Sequence, residues 1–388
     1  MAMFIHVLGR QPEIGSAELE SLYGAAAITR LGDECAAVDI GEQVPHERIG
    51  GTIKIAEYIS KSGFRNMSTL SSFVIKEIVG VVASCPTSVK KIGISAYGIR
   101  TNPSRVISLS FTIKRRLEQK KLNVKLVIPR KDTALNTAQV MYNGLDGKEG
   151  YEFIVSAGER EVWIGKTKSI QDINSYSKRD YGRPKRDPSA GMLPPKLAQI
   201  MLNLAKVSPG SSVLDPFCGT GVIPMEAGLM GAKAIGCDIN KRMVEYTKEN
   251  MGWLSKENRI GNWKAFACDA VTFQWKEKID HVVTEVYLGP RLHGRVKDDE
   301  LRAIIDDCDT LLRKFLANLS KQIAPKTRCC IAVPAWFVNN RMLRVPTSRK
   351  LDRIGYKRIE FRCAKGQPLI YHREGQSVGR ELLVIEKV

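Results

Sequence analysis

The chain opens with short alternations of apolar and polar positions. FIHVLGR (4–10) predicts a strand and PEIGSAELESLYG (12–24) a helix. AAITRL and AAVDIG follow as a strand pair, and HERIGGTIKIAEYI predicts a second helix. This order fits a small α+β module. A second module begins near Ser68. In it, helix STLSSFVIKEIVGVVAS leads to strand KKIGISAYG, and the long helix SRVISLSFTIKRRLEQKK leads to NVKLVIPR. A short helix, TALNTAQVMYNGL, precedes a hairpin of YEFIVSA and EVWIGKT turned at GERE. Residues 166–190 are polar, basic and irregular, which predicts a linker. From Gly191 the pattern changes to SSVLDPF, AKAIGCDI, KAFACDA, HVVTEVY and RCCIAVPAW with helices between. Such alternation marks an α/β domain with a doubly wound, mostly parallel sheet. GYKRIEFRC and LIYHREGQSVGRELLVIEKV predict added strands, the last two joined by a hairpin around Glu374–Val378.

Composition narrows the picture. With 388 residues, 43% apolar and 26% charged, the chain has room for two or three cores. No apolar run approaches the ~18 residues of a membrane span, so no membrane association is expected. MAMFIHVLGRQPEIG has no basic leader before an apolar stretch, so a cytoplasmic location is expected. Nine cysteines lie scattered, without a CxxC pair or zinc-type spacing. They are expected to be free thiols in a reducing compartment, with no metal. The net charge of +19 is uneven. Residues 1–50 hold 3 Lys/Arg against 8 Asp/Glu, residues 51–190 hold 25 against 12, and the remainder 32 against 21. A basic middle and end imply a polyanionic partner, most simply nucleic acid.

The candidate chemistry begins at VLDPFCGTGVIPMEAG (213–228), a strand, a tight glycine-rich turn and a helix. Gly219 and Gly221 let the backbone turn sharply and approach a ligand. The phosphate-cradling GxxxxGK[ST] is absent, and a GxGxxG would need its third glycine at Pro224. Asp215 at the strand tip repels pyrophosphate but suits a cationic cofactor. S-adenosylmethionine carries a sulfonium and an ammonium and no phosphate. Asp238 ends the next strand, 17 residues after Gly221, where a carboxylate accepts from ribose hydroxyls. Asp269 ends the third, placed to accept from the adenine amine. Each alone also reads as a helix N-cap; the three in register point to a cofactor site that includes Phe217, Ile239 and Ala270.

DPFCGTG, the preceding GMLPPKLAQIMLNLA and QDINSYSKRDYGRPKRD together resemble the THUMP-containing tRNA guanosine-N2 methyltransferases, which modify the guanosine at position ten. ISAYG, IKRRL and LNTAQV resemble the THUMP domain, and the start resembles its ferredoxin-like companion. The resemblance covers nearly the whole chain. It implies a ferredoxin-like domain at 1–66, a THUMP-like RNA-binding domain at 67–165, the linker at 166–190, and a class I Rossmann-like methyltransferase domain at 191–388. It also implies S-adenosylmethionine as cofactor, tRNA as partner, and a place for a small activating protein subunit. Met192, Leu193 and Pro195 would pack beside the methionine end of the cofactor. Arg179, Arg183 and Arg186 of the linker, with Lys114, Arg115, Arg116, Lys120 and Lys121 of the basic helix and Lys125 beyond it, are expected to contact RNA phosphates.

The fourth strand ends VVTEVYLGP (282–290), where the family carries Asp-Pro-Pro-Tyr. An exocyclic amine is a poor nucleophile because its lone pair is delocalised into the ring. A carboxylate and a carbonyl that accept both its hydrogens localise that pair, and an aromatic ring stacks on the extruded base. Here Glu285 replaces Asp, Val286 and Tyr287 replace both prolines, and Leu288 replaces the aromatic. Thr284, Glu285 and Tyr287 are the catalytic candidates. Glu285 reads either as the acceptor of the target amine or as a structural carboxylate. Arg291 and Arg295 read as phosphate grips or a solvated loop; Tyr371, Arg373 and Gln376 read as structural. Three functions stay open: a tRNA guanosine-N2 methyltransferase, an RNA-binding protein with a decayed site, and a DNA amino-methyltransferase.

Overall fold

The computed structural model describes residues 2–388 apart from 86–89, 148, 159–160, 188–191, 293–296 and 339–340. The chain forms two compact units, Met1–Asp172 and Ile173–Val388.

The first unit runs β1 (Ala2–Leu8), α1 (Pro12–Tyr23), β2 (Ile28–Leu31), β3 (Cys35–Ile40), β4 (Thr52–Gly63), α2 (Met67–Ser84), β5 (Lys91–Tyr97), α3 (Pro103–Gln119), β6 (Lys125–Val127), α4 (Thr137–Tyr142), β7 (Gly150–Ala157) and β8 (Glu161–Ile170). One sheet joins all eight strands in the order β2-β3-β1-β4-β8-β7-β5-β6. The two modules read from the sequence therefore share a sheet, through antiparallel β4 and β8.

Three sequence expectations change here. The helix expected over HERIGGTIKIAEYI is a short 3-10 turn at His46–Arg48 followed by the twelve-residue β4. Gly50 and Gly51 decide this. Their N–H groups donate to the buried Glu18 carboxylate at 2.9 and 2.6 Å, and a Cβ on Gly51 would lie 2.6 Å from Gly15 Cα. The glycines fix the turn, and β-branched Thr52, Ile53 and Ile55 then extend. The linker expected from 166 begins late, because β8 continues to Ile170 with Gly165 and Thr167 buried. Helix α2, at 18 residues and a mean hydropathy of 1.4, is also longer and more apolar than the sequence reading allowed. By length and composition it is able to cross a membrane; in this unit it buries Leu70, Val74, Ile78, Val79 and Val82 in a core shared with α3.

The second unit runs α5 (Ile173–Tyr181), α6 (Pro195–Leu204), β9 (Ser212–Asp215), α7 (Val222–Leu229), β10 (Lys233–Asp238), α8 (Lys241–Glu257), β11 (Trp263–Ala267), β12 (His281–Glu285), α9 (Asp298–Leu319), β13 (Arg328–Val338), β14 (Arg341–Arg344), β15 (Tyr356–Arg358), β16 (Ile370–Tyr371) and β17 (Val378–Lys387). Its sheet order is β11-β10-β9-β12-β13-β17-β15. Strands β9 to β13 are parallel, and β17 is antiparallel to β13. The order reverses direction between β9 and β12, and such a switch point opens a crevice at the carboxyl ends of the strands. Helix α9 packs Ile304, Cys308, Leu312, Phe315 and Leu319 against the sheet at helical spacing. Nine residues of the expected linker form α5 here, and β14, which the sequence reading did not foresee, pairs with β13.

The first unit buries a complete ion pair. Lys54 on β4 meets Glu152 on β7, both side chains fully buried. Lys54 also donates to Leu135 O at 2.6 Å and Tyr97 Oη at 3.2 Å; Glu152 accepts from Ser95 and Thr167 hydroxyls at 2.5 and 2.7 Å. Lys54→Met would leave the carboxylate buried without its cation. We expect a loss of about 3–5 kcal/mol, read as a lower urea midpoint. An unchanged midpoint would show that the hydroxyl donors suffice.

Candidate active site

The turn after β9 is built by its neighbours. Gly219 and Gly221 take φ of 50° and 85°, in the left-handed region. A Cβ on Gly221 would meet Thr247 side-chain atoms at 2.9 Å. Thr247 Oγ1 donates to Gly219 O at 2.8 Å, and Asn250 Nδ2 to Thr220 O at 2.8 Å. Asn250 also exchanges hydrogen bonds with the backbone of Lys185, both 2.9 Å. Sequence reasoning missed Thr247 and Asn250. Their signal was available: both are polar residues on the otherwise apolar buried stripe of α8, with Met243, Val244, Met251 and Leu254.

The expected carboxylates gather along this edge. Asp238 accepts from Gly219 N at 3.0 Å and Asn240 N at 2.8 Å, so it shapes the turn as well as facing it. Asp269 lies two residues beyond β11, exposed, and accepts from Val271 N at 2.9 Å. Ile239 is 74% exposed, while Ala270 is buried and Phe217 packs edge-to-face on Phe315 at 5.1 Å. Leu193 and Pro195 are buried at the start of α6, and the Met192 sulfur lies 3.5 Å from Arg183 Nη2. Parallel pairing of β10 with β11 also brings Cys237 and Cys268 to 5.8 Å between Cα atoms, and they form a disulfide, contrary to the expectation of free thiols throughout.

Asp215 is the most constrained of the carboxyls. It is 3% exposed, and accepts from Thr284 Oγ1 at 2.7 Å and Phe217 N at 3.3 Å. Burial lifts its pKa to about 8; the Thr284 and Phe217 bonds pull downward, and the charges of Asp238 and Glu285 push upward. Thr284, fully buried on β12, is thus the clamp between the two central strands, rather than a group facing solvent.

Glu285 is half-buried, and its Oε1 accepts from Arg380 Nε on β17. Arg380 is 8% exposed. Sequence reasoning missed this partner, although a Arg-Glu pair inside the apolar run VGRELLVIE was its sign. The other Glu285 oxygen has no partner among the described residues. Val286 N donates to Ala332 O at 3.1 Å, a bond a proline cannot make, and Gly289 bends the chain at φ 87°. Tyr287 is 53% exposed beside this turn. Arg291 is exposed, and Arg295 lies outside the described residues. In the hairpin, Arg373 donates to Tyr371 Oη at 3.2 Å and its carbonyl accepts from Gln376 N at 3.1 Å.

Two of the arginines expected to grip RNA do not face solvent. Arg179 Nε donates to the buried Glu226 at 2.6 Å, and Arg183 donates to Arg179 O at 2.8 Å with its side chain fully buried. At a spacing of four residues in what read as a basic linker, Arg179 reaches Glu226 on α7 and Arg183 turns back onto the end of α5. Arg186 is half-buried and lies over the exposed Tyr181 ring at 5.0 Å. In the first unit Arg115, Arg116, Lys120 and Lys121 are exposed, and Lys114 pairs with Glu118 at 3.7 Å.

Because the folded Asp215 holds its proton up to about pH 8 and the unfolded carboxyl releases it near 3.8, the folded state binds more protons between those values. This group's contribution to stability is fully present below pH 3.8 and is lost as pH rises through 8. Asp215→Asn removes the titration and keeps the shape. Urea melts should show the variant gaining on the parent from pH 4 to pH 8; parallel curves would refute the raised pKa.

The geometry matches known proteins in two ways. Residues 183–363 match the model described as UPF0020: RMKL-like, methyltransferase domain. The chain is similar to a tRNA (guanine(10)-N2)-dimethyltransferase of Methanothermobacter thermautotrophicus, 36% identical over 38% of this chain and 40% of that one. A protein of the same name from Methanocaldococcus jannaschii is 44% identical over 40% of this chain and 44% of its own length. The chain thus spans less than half the length of these curated relatives in the matched regions. Among solved structures, TrmN from Thermus thermophilus superimposes with a TM-score of 0.53 over 100% of both chains at 14% identity, which shows a shared fold. The second unit therefore has the class I Rossmann-like methyltransferase fold, and residues 183–363 are similar to an RMKL-like methyltransferase domain.

Proposed function

We propose that this chain is a cytoplasmic enzyme that transfers a methyl group from S-adenosylmethionine to the exocyclic N2 amine of a guanosine in tRNA. The observation that carries the reading is the sheet edge itself: Asp215, Asp238 and Asp269 line the crevice at the strand ends, and Glu285 stands beside Asp215 with one oxygen unclaimed. The similarity to two archaeal tRNA (guanine(10)-N2)-dimethyltransferases supports the substrate.

The residues fit a cationic cofactor. The turn closes at Gly221 against Thr247, which leaves no room for a side chain at that position. Three carboxyls face the crevice, and Asp215 is held protonated by burial until a cation favours its charged form. The cofactor would supply an electrophilic methyl on sulfur. Asp238 would hold the ribose, and Leu193, Pro195 and Met192 would back its methionine end. Glu285 would accept an amine hydrogen at its free oxygen and orient the lone pair, while Tyr287, exposed beside it, would stack on the extruded base. Arg380 orients Glu285 through their ion pair, and the carboxylate would enter the reaction as an acceptor. In the first unit the exposed Arg115, Arg116, Lys120 and Lys121 would contact phosphates, and Arg186 on Tyr181 would do so in the second.

One observation favours a second reading. Glu285 already satisfies one oxygen with Arg380, as a purely structural carboxylate would. Nucleoside mass spectrometry of tRNA from cells with and without the gene separates the two: loss of a methylated guanosine supports the enzyme, and an unchanged profile removes it. With purified protein, Asp238→Ala should abolish calorimetric binding of S-adenosylmethionine; retained affinity would displace the cofactor from this edge. Glu285→Ala should lower kcat roughly 100-fold, about 2.7–4 kcal/mol of transition-state stabilisation, with cofactor and tRNA affinity within about threefold. An unchanged kcat would assign Glu285 to structure.

A further inference from the structure

The most basic segment of the second unit lies away from the cofactor turn. Residues 341–365 hold nine Lys/Arg and two Asp/Glu. Seven of the nine are exposed: Arg341, Arg349, Lys350, Arg353, Lys357, Arg362 and Lys365. The other two, Arg344 and Arg358, turn inward to Glu381, a fully buried carboxylate on β17. One carboxylate thus holds two guanidiniums in fixed positions and leaves one positive charge over.

These arginines line a cavity of about 260 Å³ with Arg349, Ser348, Phe361 and Leu369. Ser348 is 2% exposed, and its hydroxyl has no hydrogen-bond partner among the described residues. A buried hydroxyl without a partner is costly, and a ligand acceptor or an ordered water would complete its bonding. Arg349 is exposed on the rim, with no ion pair among the described residues. A merely solvated basic loop would not enclose a cavity with an unmet donor at its wall.

The cavity also has a defined place relative to Glu285. Leu382, which lines it, is the register partner of Ala332, and Ala332 is the partner of Glu285. Two strand spacings separate them laterally, roughly 10 Å. Adjacent residues of β17 serve the two places: Arg380 holds Glu285, and Glu381 holds Arg344 and Arg358.

We propose that this cavity is a phosphate-binding site for the RNA chain, taking a backbone phosphate near the target nucleotide through Arg349, Ser348 and the Arg344–Arg358 pair. The inference rests on RNA as the substrate and adds where the second unit grips it. A backbone phosphate offers acceptors that match a hydroxyl and guanidinium N–H donors, and its charge complements the surplus positive charge. Phe361 and Leu369 give the cavity an apolar wall, and although Glu360 also lines it, the three arginines keep its charge positive.

The test uses the full chain and a fluorescent tRNA transcript, with binding followed by anisotropy from low to moderate salt. Arg349→Glu should weaken binding about tenfold and flatten the log–log salt slope by about one phosphate contact, roughly 0.7–0.9. Ser348→Ala should weaken it about threefold, without change in the urea midpoint. Calorimetric affinity for S-adenosylmethionine should be that of the parent in both. Parent-like tRNA affinity and salt slope in both variants overturn the site, whether or not the protein methylates tRNA. If the parent binds tRNA but transfers no methyl group, and Arg349→Glu still loses affinity, this site stands and the enzymatic reading falls.

Discussion

A carboxyl group buried at the mouth of a parallel sheet needs a donor, and Thr284 supplies it. The Thr284–Asp215 bond ties the tips of β12 and β9 together at the point where the strand order reverses. Everything at the edge is measured from that bond. It fixes the height of the Asp215 carboxyl, hence the start of the Gly219–Gly221 turn. It also fixes which residue of β12 comes next out of the sheet, and that residue is Glu285.

The turn is then held from outside by α8. Thr247 and Asn250 donate to two of its carbonyls, and Asp238 accepts from its Gly219 N–H. Few of the turn's own side chains take part, as expected where a backbone must stay open to a ligand. The arrangement accounts for a buried polar pair on a helix that would otherwise present a wholly apolar face to the sheet.

Much of the second unit was legible because three of its parallel strands, β9, β10 and β12, end in an acidic residue. Asp215, Asp238 and Glu285 all lie at or within the strand ends read from the sequence. What stayed hidden needed a partner far away in sequence. Arg380 lies 95 residues from Glu285, and Asn250 lies 65 from Lys185. Arg179 and Arg183 looked like surface charge because composition cannot tell a solvated arginine from one turned onto a buried Glu226. In the first unit β4 was misread as a helix. Its apolar residues fit both periods, and the Gly50-Gly51 turn that decides the matter works through Glu18, 32 residues away.

The altered fourth-strand motif follows from the same economy of contacts. Two prolines would stiffen the turn by fixing φ and by lacking donors. Here Val286 keeps its N–H and donates it to Ala332, so the pairing of β12 with β13 runs one residue further. Gly289, at φ 87° and close against Ile304, makes the bend that follows. The longer Glu285 side chain would be freer than an aspartate by one rotatable bond, and Arg380 removes that freedom through a charge-assisted bond from a central strand. Rigidity is thus moved from ring constraints to hydrogen bonds. Under the proposed function the acceptor would have to be held still to orient an amine, and Arg380 with the Val286–Ala332 bond would do so.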